Sequence, residues 1–170
     1  MLNSPLPPLD EQQPLDPRFI SLARTSGLIT TAALSLGSLP VIVLVSATAP
    51  LPPLLMGVLA AAWIGATAGL TWLAFRWPAI AYRHTAYSVG ADGFEIRRGV
   101  FWRTVINVPR SRVQHTDVSQ GPLERRFGLG ALVLYTAGTD HARIDLGGLA
   151  YERALALRDH LLPHERDDAV

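Results

Sequence analysis

The sequence predicts a two-helix transmembrane hairpin followed by a mainly β domain that a C-terminal α-helix closes. Three observations carry this. No charged residue occurs from Thr25 to Phe75, a stretch too long for one span of about 20 helical residues. Ala49-Pro50-Leu51-Pro52-Pro53 divides that stretch, and clustered prolines cannot continue a helix because each lacks an amide donor and clashes with the preceding turn. Beyond Arg83, short runs of alternating apolar residues are separated by glycine-bearing turns, the pattern of half-buried strands.

The 170 residues are 49% hydrophobic and 17% charged, and the excess of apolar residues lies in the uncharged stretch. The formal net charge is +1, so no strong field argues for nucleic acid. The absence of cysteine rules out a disulfide framework and fits a reducing compartment. Every basic side chain other than histidine is an arginine.

In chain order, the reading is an N-terminal tail over 1–26, a hairpin over 27–75, a β domain over 76–165 and a short tail over 166–170. Met1 to Pro17 is proline-rich and has no apolar period, so it is expected to be disordered. The spans are Gly27 to Thr48 and Leu54 to Phe75. Pro40, inside the first, is tolerated in a membrane helix. A cleaved signal peptide fits badly, because the apolar stretch starts late and continues into a second span. Arg18 and Arg24 precede the first span, Arg76 and Arg83 follow the second, and the turn between is uncharged. Both termini are therefore expected in the cytoplasm, at the inner face of the cell membrane. Trp72, Trp77 and Tyr82 cluster near that end, where amphipathic rings favour the headgroup zone.

Gly57, Ala61, Gly65 and Gly69 recur every four residues in the second span, and Ala33 and Gly37 share that spacing in the first. Small residues let helix backbones approach closely. The plainer reading is that these faces pack together within the hairpin, since spans joined by a short turn are neighbours. The sharper one is that the groove on the second span binds another subunit.

In the β domain, Tyr87 and Val89, a Gly90-Ala91-Asp92-Gly93 turn, and Phe94 and Ile96 read as a hairpin. Thr104 to Val108 is a third strand, with Thr104, Ile106 and Val108 on one face. Val113 to Gln120 is a fourth, in which the opposite parity of Val113 and Val118 calls for a bulge. Ala131 to Thr136 and Arg143 to Leu146 complete six strands, with Leu132, Leu134, Ile144 and Leu146 inward. The last element is a helix over Leu149 to Leu162, with Ala150, Ala154, Leu157 and Leu161 as its apolar stripe and Pro163 as its stop.

The segment Ser111-Arg112-Val113-Gln114-His115-Thr116-Asp117-Val118-Ser119-Gln120-Gly121-Pro122-Leu123-Glu124-Arg125-Arg126-Phe127-Gly128-Leu129 resembles the signature of the YdbS-like bacterial membrane proteins. Leu134-Tyr135-Thr136-Ala137-Gly138 and Arg97-Arg98-Gly99 resemble that family too, as does the order of two spans and then a domain. Thr116 departs from it, standing where an apolar β-branched residue is expected. The resemblance implies a pleckstrin-homology-like (PH-like) domain of the membrane-flanked type: a bent seven-stranded antiparallel sandwich capped by a C-terminal helix. It implies a membrane-anchored module, often paired with a larger relative carrying several such domains, and it brings no catalytic activity and no cofactor.

Candidate chemistry is sparse. His115, Asp117 and Ser119 share a strand face, but residues two apart on a strand lie about 6.5–7 Å from one another, too far for a proton relay. His160 and His164 are four apart, yet Pro163 lies between them and no third metal ligand is near. No catalytic residue and no metal site are assigned. Gln120 to Gly128 reads as a corner: Gly121 and Pro122 break the strand, Leu123 and Phe127 reach the core, Gly128 ends a helical turn, and arginines pair carboxylates such as Glu124. The alternative is that Gln120, Arg125 and Arg126 form a binding surface. The second candidate is Arg97-Arg98-Gly99-Val100-Phe101-Trp102-Arg103, where Arg97, Arg98 and Arg103 flank apolar residues suited to a membrane interface if exposed. The Gly90–Gly93 loop is short and bears Asp92, which argues against an inositol-phosphate pocket there. The expected function is a non-enzymatic module for protein assembly with itself or a related multi-domain membrane partner. The runner-up is an anionic-lipid sensor using the arginine face, and an enzyme acting on a membrane substrate ranks below both.

Overall fold

Both apolar stretches are helical: α1 spans Arg18–Thr48 and α2 spans Pro53–Arg83. The computed structural model describes residues 11–49, 51–90, 93–137 and 143–161. The chain divides into one unit of Ile20–Ala79 and another that joins Met1–Phe19 to Ile80–Val170.

Each long helix has 31 residues, about 46 Å of length against a hydrocarbon core of about 30 Å. Both therefore run past the expected spans of 27–48 and 54–75. Lack of charge marks the part of a helix that suits lipid, whereas caps mark where it ends. Asp16 caps α1 by accepting the Arg18 backbone N–H at 2.9 Å, and Pro17 suits the first turn. Pro53 opens α2 in the same way. Pro50 lies outside the described residues.

Within the helical unit, polar groups join the two helices. Trp63 Nε1 donates to Ser38 Oγ at 3.0 Å, and Ser35 Oγ donates to Thr67 Oγ1 at 3.4 Å. Arg24 Nε donates to the Phe75 carbonyl at 3.0 Å, with its guanidinium 4.0 Å from the centre of the Phe75 ring. A Cβ added at Gly27 would meet Ala74 Cβ at 3.0 Å. The expectation that the small-residue stripes pack together is corrected here. A Cβ added at Gly37, Gly57, Gly65 or Gly69 would meet nothing within 4 Å, and Ala33 and Ala61 are exposed. The reason is angular. Ala61, Gly65 and Gly69 each stand two residues, about 200° of helix, from Trp63, Thr67 and Thr71.

The second unit holds seven strands among the described residues: β1 Gln13–Pro14, β2 Thr85–Val89, β3 Gly93–Arg98, β4 Thr104–Pro109, β5 Val113–Ser119, β6 Leu129–Thr136 and β7 Arg143–Ala150. Helices α3 (Pro122–Phe127) and α4 (Tyr151–Leu161) complete it. One antiparallel sheet runs β1-β2-β3-β4 and the other β5-β6-β7. Phe94, Ile96, Ile106 and Val108 of the first sheet meet Leu132, Leu134, Ile144 and Leu146 of the second in one core, closed by Ala154, Leu157 and Leu161 of α4.

The strand absent from the sequence reading is β1, and it lies in the tail expected to be disordered. Residues 11–17 of that tail are built into the sandwich. Gln13 pairs with Tyr87 and Pro14 with Ala86. Leu15 is 4% exposed and belongs to the core. The Asp16 N–H donates to the Gly148 carbonyl at 2.9 Å. Gly148 has φ +81, and an added Cβ there would come within 2.6 Å of the Phe19 ring. The β domain is therefore discontinuous rather than confined to 76–165, and the membrane hairpin is inserted between its first two paired strands. A two-residue strand has no period to read, so alternation could not reveal it.

The expected bulge in β5 is present, as a register shift between Val113 and His115. It brings both Val113 and Thr116 into the interior. Thr116 thus occupies the core position where an apolar residue was expected, and its Oγ1 has no partner among the described residues. The closing helix starts at Tyr151 rather than Leu149, because Leu149 and Ala150 end β7, where they pair with Gly130 and Leu129. Leu162, Pro163, Ala91 and Asp92 lie outside the described residues.

Candidate anion-binding face

Strand register gathers one set of charges. Thr85 faces Arg98 and Ala86 faces Arg97 across β2 and β3, while Arg98 faces Thr104 and Arg97 faces Val105 across β3 and β4. Arg83 and His84 directly precede β2, and Arg103 directly precedes β4. These residues line a cleft of about 370 Å³ together with Gln12, Gly99 and the strand residues between them. Among the described residues, no carboxylate lines it. Arg97 is partly neutralised by Glu95, whose Oε1 accepts from Arg97 Nε at 2.5 Å. Among the described residues, Arg83, Arg98 and Arg103 have no ion-pair partner. His84 Nδ1 donates to the Ile80 carbonyl at 2.8 Å, because a carbonyl can only accept.

The turn from β3 to β4 rises beside this cleft. Gly99 has φ +124, and a Cβ there would fall 1.7 Å from the Trp102 carbonyl oxygen, so the turn needs glycine. It carries Phe101 at 81% and Trp102 at 88% exposure. Val100, the first apolar residue of the turn, is half-buried.

The remaining candidates do not join this cleft. Gln120 Nε2 donates to the Leu129 carbonyl at 2.7 Å, so Gln120 ties the corner together rather than facing a ligand. Glu124 Oε2 accepts the Gly121 backbone N–H at 2.6 Å and is engaged there instead of with an arginine. Gly128 ends α3 at φ +66. Arg125 and Arg126 are exposed, without an ion pair among the described residues. Leu123 and Phe127 are half-buried rather than core.

His115 Nε2 lies 2.9 Å from Asp117 Oδ1. The side chains lean together along the strand, which corrects the expected separation. Both remain more than half exposed, and Ser119 is exposed as well. The half-buried His160 offers its backbone carbonyl to Arg110 Nη2 at 2.6 Å. His164 lies outside the described residues.

Gln12, Arg83 and His84 are among the cleft residues that the sequence reading did not assign to a site. The register of the expected hairpin was the available signal: once Thr85 is set opposite Arg98, the residues just before β2 must lie beside the end of β3.

The family model described as "Bacterial PH domain" matches residues 28–164. The UPF0699 transmembrane protein YdbS of Bacillus subtilis (strain 168) is 34% identical over 116 residues, which cover 64% of this chain and 71% of that protein. No solved structure is a significant match.

Proposed function

The chain belongs to the bacterial PH domain family, and on that premise we propose that it is a non-enzymatic, membrane-anchored assembly module. It associates within the membrane with a second copy of itself or with a related membrane protein carrying several such domains. Both termini face the cytoplasm, a reading supported by the arginines that flank the spans and the uncharged turn between them.

One observation carries the assembly reading. The stripe of Gly57, Ala61, Gly65 and Gly69 points away from the polar seam of the hairpin and has space for added methyl groups at its glycines. A small-residue face left open on a membrane helix suits close approach by another helix. Crosslinking full-length protein in native membranes tests this. Gly65→Leu and Gly69→Leu should each abolish a specific crosslinked species while leaving the hairpin folded, since nothing among the described residues fills that space. A crosslinking pattern unchanged by both substitutions would refute assembly through this face. A second reading, contact with anionic lipid, is favoured by the convergence of Arg83, Arg97, Arg98 and Arg103.

A further inference from the structure

We propose that the crevice between α1 and α2 around Thr31 docks a second copy of this chain, through hydroxyl-to-hydroxyl hydrogen bonds inside the bilayer. This membrane contact is separate from the stripe of Gly57, Ala61, Gly65 and Gly69, and it stands whether or not that stripe pairs.

The crevice has a volume of about 470 Å³. Four hydroxyl residues line it, Thr31 and Ser35 from α1 and Thr67 and Thr71 from α2, with Leu28 and Ala32 among its apolar walls. Each hydroxyl pair is spaced by four, so each lies along one face of its helix. Five hydroxyls of the two helices are satisfied locally. Thr25, Thr30, Ser46, Thr48 and Thr71 each donate to the carbonyl four residues back, at 2.8 to 3.0 Å. Thr31 breaks that pattern. It is 8% exposed, yet its Oγ1 has no hydrogen-bond partner among the described residues. The adjacent bond from Ser35 to Thr67 is 3.4 Å, long against the usual distance of about 2.7–2.8 Å between hydroxyls.

Depth decides what can fill the crevice. Thr31 follows Arg24 by seven positions and Thr71 precedes Arg76 by five, which places them about 8–10 Å of helix inside the charged ends. A hydroxyl left open there has no water to bond. An acyl chain cannot supply the bond, and a headgroup lies outside, at the level of the arginines. The occupant is therefore a polar group carried by another membrane helix. A second copy brings the matching set. A hydroxyl both donates and accepts, so a face of hydroxyls satisfies itself across a two-fold axis, as an isologous interface requires. A face of amines or carboxylates would repel its own copy. The small-residue stripe cannot take this place, because glycine and alanine have no side-chain donor or acceptor.

The chain lacks cysteine, so single cysteines report each face without background. Purified full-length Ala32→Cys protein is reconstituted in phosphatidylcholine vesicles over a series of protein-to-lipid ratios and treated with a short bifunctional thiol reagent. Leu34→Cys is the control for random collision, since Leu34 is 59% exposed and about 200° round α1 from Ala32. Ala61→Cys reports the stripe. The expected result is that Ala32→Cys joins two copies at ratios where Leu34→Cys does not. Adding Thr31→Val, which keeps the shape and removes the hydroxyl, should raise the ratio needed for half crosslinking by roughly tenfold, whereas Thr31→Ser should restore it. In detergent, at a dilution where no crosslink forms, Thr31→Val should melt like wild type. An earlier melt would place the hydroxyl's partner within the hairpin and overturn the proposal. Crosslinking of Ala32→Cys that ignores Thr31→Val overturns the hydroxyl contact and assigns the face to apolar packing. Crosslinking of Ala32→Cys no better than that of Leu34→Cys overturns the second copy as occupant. If Ala61→Cys still crosslinks in that case, in a way that Gly65→Leu abolishes, assembly through the stripe stands without this face.

Discussion

Gln13 stands opposite Tyr87 in the β1–β2 pair, and the Tyr87 hydroxyl donates to Gln13 Oε1 at 3.3 Å, although 74 positions of chain and both membrane helices separate the two. The same Gln13 oxygen accepts from Arg153 Nη2 of α4. A glutamine in a proline-rich tail thus links the first sheet to the closing helix.

Leu15 is the apolar anchor of that tail. It is 4% exposed and packs into the core, so Leu15→Ala should destabilise the β unit by about 2–3 kcal/mol through lost burial and a residual cavity. Hydrogen exchange on the full-length protein in detergent would show this as lost protection across β1 and β2. Protection equal to wild type would mean that the tail contributes nothing to the sandwich.

Asp16 should make part of the stability depend on pH. Its carboxylate accepts from the Arg18 side chain at 2.8 and 3.0 Å and from the Arg18 backbone N–H. The Arg18 hydrogen bond, opposed by burial, holds the carboxyl below its ordinary range. A folded value below the unfolded one, about 3.9, means that the contribution is complete above that unfolded value and disappears as pH falls through the folded value. Asp16→Asn should therefore be less stable than wild type near neutral pH by about 0.5–2 kcal/mol, and the difference should narrow in acid. Parallel denaturation curves at the two pH values measure it, and a gap that widens in acid contradicts the assignment.

The corner after β5 should depend on Gln120 and not on its arginines. Removing the Gln120 amide by Gln120→Ala leaves the Leu129 carbonyl unpaired, at a cost of about 1–3 kcal/mol. Arg125→Ala and Arg126→Ala should each fall within about 0.5 kcal/mol of wild type, because both side chains are exposed. Thermal melting of the three full-length variants separates the roles, and a large loss in either arginine variant would restore the view that ion pairs hold this corner.

The hairpin was legible because charge is expensive in hydrocarbon, so its absence from Thr25 to Phe75 reports the environment directly. Strands β2 to β7 were legible because each alternates over several residues, and the bulge in β5 because Val113 and Val118 have opposite parity. Leu149 and Ala150 satisfy both helical and strand patterns, and only their pairing with Gly130 and Leu129 decides between them. The packing face of the hairpin was misread because small residues signal close approach, whereas Ser35, Ser38, Trp63 and Thr67 also need polar partners that lipid cannot supply. At the candidate site, the arginines were legible as residues. Their convergence with Arg83 and His84 depends on strand register, which a list of local patterns does not contain.

The pairing of Gln13–Pro14 with Tyr87 and Ala86 imposes an order on biosynthesis. The first strand leaves the ribosome before either span and has no partner until the second strand has been made. Those strands can meet only if the chain has crossed the bilayer an even number of times between them. A chain that inserted only one span would strand β1 across the membrane, with Leu15 unburied and the Gly148 carbonyl without its donor. A sandwich completed by β1 would thus differ from one whose β1 was left across the bilayer, and the latter would lack the Leu15 packing and the Gln13–Tyr87 pair.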